Sequence, residues 1–294
     1  MGSGTFTSRC MATYSSSLGR TYDATTHRVS GQTFEAKRLD EQLDPSKFTI
    51  RECCDSEEHP NTVPVILCLD LTGSMDKACS ETAAALGKIV ISLYDKYKDI
   101  EFCVMGVGDL DYDDCPIQMS QFESDVRIAV SLDKLYIELG GGGNDFESYT
   151  AAWYMGLYRT KLDCFDKHGR KGVIITMGDE PLNPYLPARK LNNFINANEE
   201  KDIETIELYN QAIEKFDIYH ISVDSPHCCY RRYKKEVDKS FGELLGPRYK
   251  ISTIDGLADT IEECISESIG GAVVNKVEKE EGKELINEKG ELYW

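Results

Sequence analysis

The residues best spaced to do chemistry are Asp70, Thr72 and Ser74, in the run Asp70-Leu71-Thr72-Gly73-Ser74-Met75. A carboxylate and two hydroxyls at alternate positions can converge on one point if the loop folds back, and Gly73 lets the backbone turn tightly. Oxygen-only donors suit a hard divalent cation such as Mg²⁺, which takes octahedral geometry and keeps several waters. A helix N-cap accounts for one hydroxyl but not for the spaced trio. The densest acidic cluster is Asp109, Asp111, Asp113 and Asp114. Its D-x-D-x-D spacing is not an EF-hand, because Asp114 stands where the loop needs glycine and Ser120 where it needs glutamate. A solvated acidic loop is the expectation there.

The elements around the trio must hold it at a strand end. Residues 63–69 (VPVILCL) are a continuous apolar run, as expected of a strand buried on both faces. Residues 76–97 have helical spacing, with Ala83, Leu86, Ile89, Val90 and Leu93 on one face. Further strands are expected at 100–107, 172–177, 217–223 and 249–254. Helices are expected at 122–136, 147–162, 184–216 (one or two), 231–245 and 257–269. Alternation of this kind predicts an α/β fold: a doubly wound, mostly parallel sheet flanked by helices. Such sheets bind ligands outside the carboxyl ends of their strands, where Asp70 falls.

The segment VPVILCLDLTGSM resembles the von Willebrand factor type A domain. It is similar to that family's first strand and the D-x-S/T-x-S element of its metal-ion-dependent adhesion site. The resemblance covers about residues 62–270 and implies a Rossmann-like domain that binds Mg²⁺, with Mn²⁺ or Ca²⁺ as alternatives. It also implies ligands on two later loops. One is usually a threonine near a glycine-rich turn; here the turn is at 140–148, the threonine is absent, and Asn144 is the best substitute, with Asp145 and Glu147 as competitors. The other is an aspartate after a later strand; Asp179 stands two residues beyond the usual place, after Thr176-Met177-Gly178. In the family the hydroxyls bind metal directly, the aspartates largely through water, and a partner's carboxylate fills the open position. The resemblance therefore implies a protein-binding module, not an enzyme, whose intracellular members act as adaptors or assembly factors beside AAA+ ATPases or in phage and bacterial conflict systems.

Two other readings stand beside this one. A haloacid dehalogenase-like phosphatase would use Asp70 as nucleophile, but that chemistry wants a second aspartate at position 72, where Thr72 cannot protonate a leaving group. A structural assembly component would keep only a degenerate metal site. No phosphate loop or G-x-S-x-G elbow occurs, and the five histidines form no metal-ligand spacing. His220 reads as a strand residue. Arg231-Arg232-Tyr233-Lys234-Lys235 reads as a solvated basic helix face.

The 294 residues carry 51 acidic and 33 basic side chains, a formal charge of -18. That balance argues against nucleic-acid and anionic-membrane partners. No run of residues is apolar enough to span a bilayer, and residues 1–20 lack the apolar region of a secretory signal. Eleven cysteines with no C-x-x-C pair fit reduced thiols in the cytoplasm. Three regions are expected: an N-terminal arm at 1–60, partly disordered or extended, an α/β domain at 61–270, and a charged tail at 271–294. Short strands are expected within the arm at 31–36 and 47–51.

Overall fold

The computed structural model describes residues 4–138 and 146–284, the last fourteen of these by backbone alone. A six-stranded sheet forms the centre. Its strands are β1 (Val63–Asp70), β2 (Ile100–Val107), β3 (Ile117–Met119), β4 (Gly172–Gly178), β5 (Phe216–Val223) and β6 (Tyr249–Ser252). Their spatial order is β3-β2-β1-β4-β5-β6. All pairings are parallel except β2 with β3. This is the doubly wound α/β fold expected from the alternation of strands and helices. The winding reverses between β1 and β4, which opens a crevice beyond their carboxyl ends.

Both faces of the sheet are buried, so β1 is apolar at every position before Asp70, and the other central strands are mostly apolar. On β1, Val65, Leu67 and Leu69 face one core layer, while Ile66 and Cys68 face the other. Helices α2 (Asp76–Tyr94) and α6 (Leu257–Glu284) cover the first face. Helices α3 (Thr150–Tyr158), α4 (Thr205–Lys215) and α5 (Tyr230–Leu245) cover the second. The stripe expected on α2 is the buried one: Ala83, Leu86, Ile89, Val90 and Leu93 all lie in the core. Burying a side chain of this kind stabilises the fold by roughly 1.5–3 kcal/mol.

The first sixty residues are more structured than an extended arm. Helix α1 (Ser8–Ser17) starts at Thr7, whose hydroxyl accepts from the Cys10 N–H in a capping box. Phe6, Met11, Val29 and Leu43 are buried. Arg20 pairs with Asp133 at 2.6 Å, and Arg28 makes a two-pronged contact with Glu81 at 2.7 and 2.8 Å. Low hydropathy concealed this order, because few but well-placed apolar residues anchor the segment. Its strands fall at Thr21–Asp23, Arg28–Ser30 and Arg51–Cys53, displaced from the expected 31–36 and 47–51.

Other boundaries also differ. The helix expected at 122–136 is confined to Arg127–Asp133, because Gln118 joins Tyr136 to the β2–β3 edge through both its amide atoms. The helix expected at 147–162 spans Thr150–Tyr158 alone. There the chain leaves to form Thr160–Leu162, which pairs with Arg51–Cys53 of the arm. Lys215 stabilises that exit by donating to the carbonyls of Gly156, Leu157 and Thr160 at 3.3, 3.2 and 2.7 Å. Helix α6 continues past residue 270 to Glu284, into the segment expected to be a tail.

Candidate metal centre

Asp70 is the last residue of β1, and the chain then passes through Leu71 and Thr72 into one tight turn, Gly73–Met75, before α2. The turn folds the trio together. Asp70 Oδ1 accepts from the Thr72 N–H at 2.9 Å and from Thr72 Oγ1 at 2.6 Å. Thr72 Oγ1 and Ser74 Oγ stand 3.4 Å apart. Ser74 Oγ donates to Asp179 Oδ1 at 3.1 Å, across the crevice between β1 and β4. Asp179 Oδ2 accepts from the Cys229 N–H at 2.5 Å, in the turn before α5. The structure thus gathers Asp70, Thr72, Ser74 and Asp179 at the switch point of the sheet. Asn144 lies outside the described residues.

Tyr149, just ahead of α3, completes the arrangement and was not foreseen. Its hydroxyl donates to Asp70 Oδ2 at 2.7 Å and accepts from the N–H groups of Asp179 and Glu180 at 3.2 and 3.3 Å. One buried phenol therefore ties the end of β1 to the loop after β4. Gly178 makes room for it: a Cβ there would sit 2.1 Å from the Tyr149 hydroxyl. The glycine between Met177 and Asp179 was the visible trace of this contact, and sequence alone did not say what it approached.

Asp70 and Asp179 are fully buried. Burial raises the Asp70 carboxyl far above the ordinary carboxylate range, and Asp179 raises it further against the hydrogen bonds from Thr72 and Tyr149. Burial also raises Asp179, opposed by the Cys229 amide and the Ser74 hydroxyl. Glu147 is 4% exposed and is raised by burial and then by Asp70, Glu180, Asp113 and Asp109. Several acids packed this way favour either bound protons or an added cation.

The donor set fits a hard divalent cation. Each hydroxyl gives its proton to a carboxylate behind it, Thr72 to Asp70 and Ser74 to Asp179, so lone pairs on both oxygens remain for a metal. Adjacent ligands of Mg²⁺ stand about 3 Å apart and those of Ca²⁺ somewhat farther, which brackets the 3.4 Å between the two hydroxyls. Among the described residues, no group of three or more His, Cys, Asp or Glu is placed to hold a metal by itself. A cation here would depend on the hydroxyls.

The remaining candidates play structural parts. Asp109 Oδ1 accepts from the Asp111 N–H and Asp113 Oδ2 from the Asp109 N–H, at 2.7 Å each, so this acidic loop is partly folded in on itself. His220 is buried on β5, stacked on Phe241 at 3.5 Å between centroids, with Thr176 Oγ1 at 2.8 Å from Nδ1. In the basic stretch, Arg231 pairs with Asp224, and Lys234 with Asp238. All eleven cysteines are free thiols. Among the described residues, no helix is long and apolar enough to cross a membrane.

Fold and site together define a doubly wound α/β domain with a buried acid-and-hydroxyl cluster at its switch point. No protein-family model matches the sequence, and no curated protein matches it. Among solved structures, the chain is similar to the pilus adhesin SpaC from Lactobacillus rhamnosus GG in its open conformation, at 11% identity and a TM-score of 0.46. That match covers 73% of this chain and 31% of SpaC, so the chain spans about a third of that adhesin. It is also similar to the vWF domain of the type V pili tip protein Mfa5 from Porphyromonas gingivalis, at 13% identity and a TM-score of 0.41, covering 70% of this chain and 95% of that one.

Proposed function

We propose that this chain is a divalent-cation-dependent protein-binding module of the von Willebrand factor type A kind. Its cation, Mg²⁺ or Mn²⁺, is held by Thr72 and Ser74, with Asp70 and Asp179 behind them. The observation that carries this reading is the meeting of Ser74 Oγ and Asp179 Oδ1 at 3.1 Å, because residues 105 positions apart converge there beside Asp70 and Thr72. The bound cation supplies a positive centre at the crevice, and an oxygen from a protein partner completes its shell. This chain's residues orient that centre: Tyr149 and the Cys229 amide fix the two carboxylates, and the carboxylates fix the two hydroxyls.

Binding is favoured over phosphoryl transfer by the state of Asp70. Both of its oxygens already accept hydrogen bonds, and the side chain is fully buried. An attacking carboxylate needs a free oxygen facing substrate, and a neighbouring acid to protonate the leaving group. The free thiols support an intracellular setting. The test is calorimetric titration of EDTA-stripped protein with Mg²⁺ and Mn²⁺, comparing wild type with Asp70→Ala and Ser74→Ala. Both variants are expected to lose most of the affinity. Unchanged affinity in both removes this reading, and phosphatase turnover abolished by Asp70→Asn would replace it.

A further inference from the structure

We propose that the groove at the far end of α3 binds a nucleoside monophosphate. This site is separate from the crevice and does not depend on a cation there. Helix α3 begins beside Tyr149, which bonds Asp70, and runs nine residues to Tyr158. The groove opens at that opposite end, about 13 Å along the helix axis.

The groove has a volume of about 470 Å³, within the range of small-molecule sites. Three segments build it: the arm at 46–49, the end of α3 with Arg159, and the turn at 195–198 that closes the helix Ala188–Ile195. Asn196 sets that turn with a φ of 50°, a left-handed conformation that asparagine tolerates. Its Nδ2 donates to the Ser46 carbonyl at 3.3 Å and joins the turn to the arm.

Three kinds of group line this space. The first are cations. Arg159 donates to the Thr49 and Ile195 carbonyls at 3.4 and 2.6 Å, neutral contacts that fix the guanidinium between arm and turn. Lys47 lines the same groove. Among the described residues neither has an ion pair, in a chain whose formal charge is -18. The second are rings. Tyr154 and Tyr158, one helical turn apart, set their rings 4.8 Å apart at 50°. Their hydroxyls are engaged by Glu199 and Gln211 at 2.6 and 2.7 Å, so what they offer the groove is ring surface, and Tyr158 is 44% exposed. The third is the Asn198 amide, which lines the groove with no hydrogen-bond partner among the described residues.

A phosphate takes charge-assisted hydrogen bonds from Arg159 and Lys47. A flat base stacks on Tyr158, and a primary amide matches the donors and acceptors on a base edge. A bare anion leaves the rings unused, and an uncharged nucleoside leaves the two cations without a counter-charge. The acidity of the chain opposes a long phosphate backbone, but a ligand with one phosphate meets only the local pair of cations.

The test is calorimetric titration of full-length protein with AMP and UMP, beside adenosine, inorganic phosphate and benzoate, using wild type, Lys47→Ala and Tyr158→Ala. Both nucleotides are expected to bind about tenfold or more tightly than adenosine or phosphate. Tyr158→Ala is expected to weaken both by about tenfold or more through lost stacking, and Lys47→Ala by about tenfold through a lost charged contact. Absence of binding at millimolar AMP and UMP overturns the proposal, as does affinity within about twofold of wild type in both variants. Phosphate that binds as tightly as AMP overturns the part given to the rings. Benzoate that binds as tightly as the nucleotides overturns the nucleotide assignment. Should Tyr158→Ala fail to fold, Lys47→Ala decides, because it alters an exposed side chain without an ion pair.

Discussion

Tyr149→Phe removes one hydroxyl and leaves the ring that fills the core between β4 and α5. Tyr149 is fully buried and its ring packs edge-on against His220 and Phe241, contacts that phenylalanine keeps. What is lost is a donor to Asp70 Oδ2 at 2.7 Å and an acceptor for the Asp179 and Glu180 amides at 3.2 and 3.3 Å. A buried hydrogen bond to an acid is worth about 1.5–3 kcal/mol, and a longer amide contact about 0.5–1. The variant is therefore expected to be less stable by roughly 2.5–5 kcal/mol. For a domain of this size that lowers Tm by roughly 4–8 °C. The assay is thermal unfolding followed by circular dichroism in EDTA, with urea unfolding as a second measure. Gly178→Ala tests the same contact from the other side, since its Cβ would meet the Tyr149 ring at 2.1 to 2.4 Å. The double variant should lose less than the sum of the single losses, because both act on one phenol. A Tyr149→Phe protein that melts within about 2 °C of wild type would refute the claim that this hydroxyl holds the two loops together.

Other outcomes follow from the same structure. Metal-free protein should lose stability as pH rises: burial raises Asp70, Asp179 and Glu147, so the penalty is absent below their unfolded values near 4 and grows as pH climbs through their raised folded values. Added Mg²⁺ should therefore stabilise more at pH 8.5 than at pH 6.5, the stabilisation reaching about 2.7 kcal/mol wherever its concentration is about 100 times Kd; melts at both pH values with and without EDTA check this. Away from the site, burial pushes Glu101 up to about 7 from 4.5. Glu101→Gln should thus gain up to about 3 kcal/mol at pH 8 and nothing below pH 4, read by urea unfolding at each pH. Arg20→Ala should leave Asp133 without its 2.6 Å partner at a site where the two side chains are 9% and 14% exposed. A loss of roughly 2–3 kcal/mol is expected, with earlier proteolytic cleavage in the first sixty residues; equal cleavage rates would count against this anchor.

The sequence by itself determined the sheet and the edge at which the candidate site lies. A strand covered on both faces is dominated by apolar residues, so VPVILCL and GVIITM, the latter interrupted only by Thr176, were visible as central strands without further information. The strand-helix alternation then required parallel pairing, and the D-x-T-x-S spacing put a carboxylate and two hydroxyls at a strand's carboxyl end. What sequence could not supply was distance between loops. That Ser74 meets Asp179 and that Tyr149 reaches Asp70 over Gly178 depends on strand order, which places β1 next to β4. The order of residues within the first sixty was hidden for a related reason: its anchors, Phe6, Met11, Arg20 and Arg28, find their partners on distant elements and leave no local period. Local patterns record which face of an element is buried. Only the tertiary structure decides which loops share a crevice, because that is set by how the chain crosses from strand to strand.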